Sequence, residues 1–341
     1  MNELEELRKE IEEIDSQILN LIAKRLQVSS MIGEIKGKMG FNVTDEKREE
    51  YVKEYWTEKG RRLGIPESLV SSVLTNLISY SKMFQVKDSK KRRVTIIGYG
   101  GMARSLSSLF HLSGHNVVIT GRDKRKAERL ANEFKFVYME EKSALDWSEY
   151  VILSISPSGL DYAESVLKYA KEKVVMDIFS TKSNTFRKLQ TLSEQFSFEY
   201  ISTHPLFGPI LYPVGERIAV IPSQKSTRTQ EVIEFWRKCG LVPVLTTPEE
   251  HDKVMAIVQV LAHFYMLGLL RSSNTLKKEL EVGNKIDELQ TTNFREISKI
   301  LDRINSLLPV ILEIQKDNPY AHKVRDLGMR ELQDVLKSLG E

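Results

Sequence analysis

Cysteine is nearly absent from this sequence. One, Cys239, occurs in 341 residues. No internal disulfide can form, and a reducing compartment, the cytoplasm, is expected. Nor is there an excess of one charge. The net charge is +3, and no basic block is interleaved with aromatics, so nucleic acid is not an expected partner and acidic small molecules suit better. The first residues carry Glu3, Glu5 and Glu6, which is not a signal-peptide pattern. Long hydrophobic runs are scarce. The longest uncharged one, Val254 to Leu270, holds Gln259 and His263 and is marginal for a membrane span. A buried helix at a subunit interface is expected there, with those two polar groups satisfied in its core, and no membrane partner. No cluster of cysteine and histidine points to a metal. The length allows two or three domains with ample core.

The chain is organised around Val94-Thr95-Ile96-Ile97-Gly98-Tyr99-Gly100-Gly101-Met102-Ala103. This reads as an apolar strand, a glycine turn and a helix running to about Ser113. Gly98 permits a turn that a side chain would block, Gly100 lets the backbone approach a pyrophosphate, and Ala103 is small enough for close helix–strand packing. The segment Gly98, Tyr99, Gly100, Gly101, Met102, Ala103 is therefore a candidate dinucleotide site, with phosphates at the helix start. The second strand, His115 to Thr120, ends in Gly121-Arg122-Asp123. Arg122 after a glycine suits the 2′-phosphate of NADP, which is favoured. Asp123, one or two residues late for a ribose hydroxyl, keeps NAD open. Further strands are expected at Tyr150–Ser154, Val174–Ile178 and Phe198–Ser202. Their polar ends hold Ser154 and Ser156, Ser180, and His204. In a doubly wound sheet such ends line the ligand crevice. His204 precedes a proline, so its backbone is expected to be extended, and it is the strongest candidate for catalysis.

Residues 4 to 39 carry a seam of Leu4, Leu7, Ile11, Ile14, Ile18, Leu21, Val28, Ile32, Ile35 and Met39. The alternating three-and-four spacing predicts one long helix. Two short helices of the same segment cannot cover it, so a second chain is expected against it. Arg25 lies on the seam, where a guanidinium is costly unless paired. Lys36 shares nearly that face. Arg8 is rotated by roughly a quarter turn, which suits a different pocket, that of the partner. A second helix opens at Thr44, the expected N-cap, and Asp45, Arg48 and Glu49 share one face. A third, from about Glu67 to Gln85, places Ser81 and Gln85 one turn apart.

The pattern Leu7-Arg8…Leu21-Ile22-Ala23-Lys24-Arg25…Lys36…Asp45…Arg48-Glu49…Ser81…Gln85 resembles the all-helical class of chorismate mutase over residues 3 to 86. The resemblance implies that Arg8 (from the other subunit), Arg25 and Arg48 hold the carboxylates of chorismate. Lys36 and Gln85 would bond the ether oxygen as its bond breaks. Glu49 and Asp45 would fix the ring hydroxyl and the cations, and Ser81 would support a carboxylate. The residue types suit the chemistry. A pericyclic rearrangement needs a dianion held in a near-attack shape and donors aimed at the oxygen that gains charge.

Asp177-Ile178-Phe179-Ser180-Thr181-Lys182 followed by Thr203-His204-Pro205-Leu206-Phe207-Gly208-Pro209 resembles prephenate dehydrogenase. With Phe294-Arg295…Arg303…Gln315…Asn318-Pro319, the likeness covers residues 93 to about 325. It implies that His204 accepts a hydrogen bond from the hydroxyl on the carbon that loses hydride. Ser180 would orient His204, and Arg303, with Arg295 less directly, would clamp a prephenate carboxylate. A neutral histidine is required, so the rate should rise through its pKa. Ile210-Leu211-Tyr212 stands where polar residues are expected.

Pattern and resemblance together imply a multidomain homodimer. A three-helix all-α domain of chorismate-mutase type (1–88) would precede an α/β, doubly wound Rossmann domain (92–246). An all-α substrate and dimerisation domain (247–341) would follow, opened by Thr247 as N-cap and Pro248. Three alternatives remain: arogenate as the dehydrogenase substrate, a helical module that only dimerises, and a different hydroxy-acid dehydrogenase.

Overall fold

The computed structural model describes residues 2–86 and 90–340. Of the charged linker read at 87–93, Lys87, Asp88 and Ser89 lie outside the described residues. The three-and-four seam forms α1, Asn2–Met39, 38 residues and so about 57 Å long. Gly40, at φ +69°, ends it. Helix α2 (Glu46–Arg62) is capped by Asp45, whose carboxylate accepts the Arg48 N–H at 3.0 Å. This corrects the expected cap, Thr44. Asp45 holds the extended backbone just before the helix, and a carboxylate there faces the positive end of the helix dipole. The Thr44 hydroxyl is buried without a hydrogen-bond partner among the described residues. Helix α3 (Glu67–Gln85) packs on the later part of α1, where a Cβ on Gly33 would overlap the Gln85 backbone. Among the described residues up to 86, the buried apolar side chains are Val70, Leu74 and Val86, while Leu4, Leu7, Ile11, Ile14 and Ile18 are 47% to 57% exposed.

The next segment alternates strands and helices: β1 (Arg93–Ile97), α4 (Gly101–Ser113), β2 (Asn116–Thr120), α5 (Lys124–Glu133), β3 (Val137–Tyr138), α6 (Glu141–Trp147), β4 (Tyr150–Leu153), α7 (Leu160–Leu167), β5 (Val174–Asp177), α8 (Ser183–Phe196), β6 (Glu199–Pro205), β7 (Arg217–Pro222), α9 (Thr229–Lys238) and β8 (Val242–Leu245). The strand order is β3-β2-β1-β4-β5-β6-β7-β8. Strands β1 to β6 pair in parallel. Their apolar runs, among them Val94, Ile96, Ile119, Ile152 and Met176, are buried, as expected of a sheet covered on both faces. Ile97 is in register with Thr120 and Leu153, and Leu153 with Asp177, so these carboxyl ends share one edge. Strand β7 runs antiparallel to β6, pairing His204 with Ala219 and Pro205 with Ile218. That pairing extends β6 beyond the expected end at Ser202 and places His204 inside a strand, not in a loop after it.

The chain divides into two compact units. One holds residues 1–155, 161–178 and 196–245; the other holds 156–160, 179–195 and 246–341. The second unit joins α8 to α10 (Pro248–Met255), α11 (Ala262–Glu279), α12 (Lys285–Leu289), α13 (Thr292–Ser306), α14 (Leu308–Asp317) and α15 (Ala321–Ser338). Thr247 caps α10 as expected, accepting the Glu250 N–H at 3.2 Å. The buried Asp252 carboxylate accepts from the Lys182 N–H (3.1 Å), the Ser183 N–H (3.0 Å) and the Ser183 hydroxyl (2.5 Å), and pairs with His251. It thereby caps α8 from α10. Burial pushes its pKa up, but the bonds from His251, Ser183 and the Lys182 N–H outweigh this and hold it below its ordinary value.

Between α10 and α11 the helix passes through a π turn, Ala256–Leu261. By length and composition Pro248–Glu279 is apolar enough to cross a bilayer, with 17% of its most apolar window buried in the chain. The expected buried helix is therefore largely uncovered within one chain: Val254, Ile257 and Val258 are 47% to 65% exposed. Gln259 Oε1 and His263 Nδ1 are buried without partners among the described residues, which overturns the reading of satisfied core groups, and burial holds the His263 pKa down.

Candidate active sites

In the helical segment, Arg25 reaches from α1 to α3. Its guanidinium donates to the Leu77 carbonyl at 3.0 Å and to the Ser81 hydroxyl. Burial lowers its pKa, and these two acceptors answer the desolvation that the seam position imposes. Lys36 Nζ donates to the Val43 carbonyl at 2.8 Å. Its pKa is lowered by burial and by the charge of Lys82, while Asp45 and Glu49 pull it back up. Lys82 Nζ bridges to Glu49 at 2.8 Å. Gln85 Oε1 is buried without a partner among the described residues. Arg25 and Ser81 thus meet directly, and Lys36, Asp45, Glu49 and Lys82 form one charged group. Lys82 was missed in the sequence, although its i, i+3 relation to Gln85 places both on one face.

Arg8 and Arg48 stand apart. Arg8 is paired with Glu5 at 2.6 Å with its side chain 61% exposed. It lies about 25 Å along α1 from Arg25. Arg48 is exposed with its guanidinium 4.9 Å over the Tyr51 ring.

In the sheet, Gly98 has φ +129°, and a Cβ there would overlap the Ser154 carbonyl. A Cβ on Gly100 would meet nothing within 4 Å, and α4 has no side-chain cap. Open backbone and an uncapped helix start are the cradle a pyrophosphate needs, so the residues fit a dinucleotide. Ala103 is fully buried. Tyr99 and Met102 pack on the sheet core. A Cβ on Gly101 would lie 2.9 Å from Pro209, so the segment after His204 abuts the first turn of α4. His204 itself is buried, at 3% exposure.

At the end of β2, Arg122 is exposed and lies 5.5 Å over the Tyr162 ring. The Tyr162 hydroxyl donates to Glu141 at 2.8 Å, and burial and that bond push its pKa up. Asp123 caps α5, accepting the Lys126 N–H at 3.1 Å, which commits its carboxylate locally. Ser154 belongs to the unit of the sheet, whereas Ser156, Ser180, Arg295 and Arg303 belong to the other unit. Arg295 and Arg303 lie on α13, both exposed.

Residues 7–86 match the family model of type II chorismate mutase, and residues 247–339 match that of the prephenate dehydrogenase dimerization domain. The chorismate mutase of Methanocaldococcus jannaschii is 32% identical over 85 residues, which cover 25% of this chain and 86% of that protein. The T-protein of Enterobacter agglomerans is 27% identical over 304 residues, 84% of this chain and 76% of that protein. The chain belongs to the family that joins a chorismate mutase to a prephenate dehydrogenase. Its central residues, 93–181, match the model of coenzyme F420-dependent NADP oxidoreductases, in keeping with a dinucleotide-binding fold. Beyond the mutase helices, the fold is that of prephenate dehydrogenase. The structure of the enzyme from A. aeolicus, solved with hydroxyphenyl propionate and NAD+, superposes with TM-score 0.57 at 18% identity, covering 74% of this chain and 94% of that one.

Proposed function

We propose that this chain turns chorismate into prephenate in residues 1–88, and oxidises and decarboxylates prephenate to 4-hydroxyphenylpyruvate with residues 92–246 and 247–341, two steps of tyrosine biosynthesis. The observation that carries the reading is the pairing, in one chain, of the Arg25–Ser81 and Lys36–Glu49 groups on helices with an uncapped glycine turn that abuts Pro209, in the segment after β6, the strand that bears His204.

In the first step no bond is made to the protein. Arg25 and Arg48, with Arg8 from a second copy, hold the carboxylates of chorismate, and Ser81 supports one of them. Lys36 and Gln85 donate to the ether oxygen as it gains charge, which lowers the barrier because the donors are already placed. Glu49 and Asp45 fix the ring hydroxyl and keep the cations oriented.

For the second step, a nicotinamide dinucleotide held at the Gly98 turn would supply the hydride acceptor. His204 accepts a hydrogen bond from the hydroxyl on the carbon losing that hydride. The ring carboxylate leaves as CO₂, its bonding pair enters the ring, and the hydroxyl ends as a phenol. Arg303, aided by Arg295, clamps a remaining carboxylate. Gly98 to Ala103 would hold the pyrophosphate, with Ser154 contributing from the end of β4. NADP is favoured over NAD: Arg122 offers its charge to a 2′-phosphate, while Asp123 is engaged as a helix cap.

The protein acts as a cytoplasmic homodimer. The exposed seam of α1 suits the apolar groove of a second copy lined by Tyr55, Trp56, Leu63, Leu69 and Val73, and the exposed face of Val254, Ile257 and Val258 suits the C-terminal contact. The test is to supply chorismate with NADP, then with NAD, and follow reduced nicotinamide. Turnover from chorismate requires both activities, and faster turnover with NADP supports the Arg122 reading. Turnover from prephenate alone reduces the helices to a dimerisation module. Turnover only from arogenate overturns the substrate.

A further inference from the structure

We infer that Lys82 is a positioning residue of the mutase site, holding the Glu49 carboxylate, and that the β6–β7 connection of the sheet domain holds Lys82 in turn. This rests on the assignment of Glu49 to the mutase pocket.

The Lys82–Glu49 bridge joins α3 to α2 at 2.8 Å, with side chains only 17% and 23% exposed. It differs from the surface pairs along single helices, such as Arg8–Glu5 at 61% and 60%, which are worth little. Beside it lies Gly215, at φ +88°. A Cβ there would sit 3.1 Å from Thr44 Oγ1, 3.2 Å from Lys82 Cδ and 3.3 Å from Lys82 Nζ. The Gly215 backbone is itself held, its N–H donating to the Gly240 carbonyl at 2.7 Å. A Cβ on Gly240 would fall 2.6 Å from Val86 Cγ2. Arg217 bridges to Glu46 at 3.1 Å, and Arg237 Nε donates to Asn42 Oδ1 at 2.8 Å. The sheet domain therefore walls the stem of Lys82.

The consequence is electrostatic. Glu49 acts on both Lys82 and Lys36. Without Lys82 its carboxylate turns to the remaining ammonium, Lys36, and occupies the donor that the breaking ether bond needs. That loss falls on the transition state, so kcat drops and KM changes little.

The experiment measures chorismate rearrangement by the full chain. Lys82→Met is expected to lower kcat about tenfold, with KM held within about twofold, since groups in direct contact couple at that level. Lys82→Arg should restore most of the rate. Prephenate oxidation by the same preparations reports intact folding. In a Glu49→Gln background, Lys82→Met should add nothing. Gly215→Ala should lower kcat in the same direction. An unchanged kcat in Lys82→Met, or a full additive loss in the double variant, overturns the inference while the mutase reading stands. If the wild-type chain does not turn over chorismate, that reading fails with it.

Discussion

The helices before residue 87 and the sheet that follows bury their apolar side chains in different ways. In the sheet domain Val94, Ile96, Ile97, Ile152 and Leu153 are fully buried within one chain. In the helices, Leu4 to Ile18 remain about half exposed, and the local core is Val70, Leu74 and Val86. Burying one such side chain contributes roughly 1.5–3 kcal/mol, so α1 forgoes that gain at each seam position until something covers it. The polar residues follow the same division. His204 is buried by its own sheet, whereas Arg8 and Arg48 stand in solvent. A sheet of parallel strands finishes its core by itself. A helix of this length leaves its seam to be covered from outside its own segment.

The largest effect is expected on the sheet side. His204→Ala should lower prephenate oxidation by about 10² to 10⁴-fold, the usual contribution of a placed base, with chorismate rearrangement unchanged; loss of both together would break the division. Next, Arg25→Ala should lower kcat/KM for chorismate by about 10²-fold, since it removes the charge proposed to hold a substrate carboxylate and its bonds to Ser81 and the Leu77 carbonyl, with prephenate oxidation unchanged. A third variant sharpens the contrast itself. Ile11→Glu places a charge on the seam, and if Arg8 is supplied by a partner, as proposed, sedimentation together with mutase assays at falling protein concentration should show a weakened dimer and lost mutase rate. A dimer and rate indifferent to Ile11→Glu would argue that α1 completes its site alone.

The smallest effect is on acid stability. Glu231 accepts from Arg228 at 2.8 Å and from the Tyr150 hydroxyl. These bonds, with Arg228 first, hold its pKa at about 2 against an ordinary 4.5. A depressed carboxylate stabilises the fold above its unfolded pKa, and that contribution is lost as pH falls from 4.5 toward about 2. The pair is partly exposed, so about 1 kcal/mol at most is at stake. Thermal unfolding of Glu231→Gln should show a weaker dependence on pH in that window than the wild type.

What the sequence by itself determined was local. Helix α1 is written in its three-and-four spacing, the cap of α10 in Thr247-Pro248, and the turn at Gly98 in a backbone that overlaps Ser154 if given a side chain. These depend on neighbours within a few residues, which a sequence displays. What the tertiary structure decided depends on pairing across distance. Strand β7 lengthens β6 to enclose His204, and nothing in Phe198–Ser202 announces a partner some twenty residues on. Asp45, and not Thr44, caps α2 because the backbone turns there. The uncovered face around Ile257 and the orphaned Gln259 and His263 could not be told from a buried core by composition, since both are apolar runs. Nothing in its own sequence neighbourhood tells Lys82 that it will stand between Glu49 and Gly215, where the fold sets it. Side-chain spacing fixes a helix or a turn through short-range sterics and hydrogen bonds. Which charge meets which, and which apolar face is left open, is fixed only when distant segments are brought together.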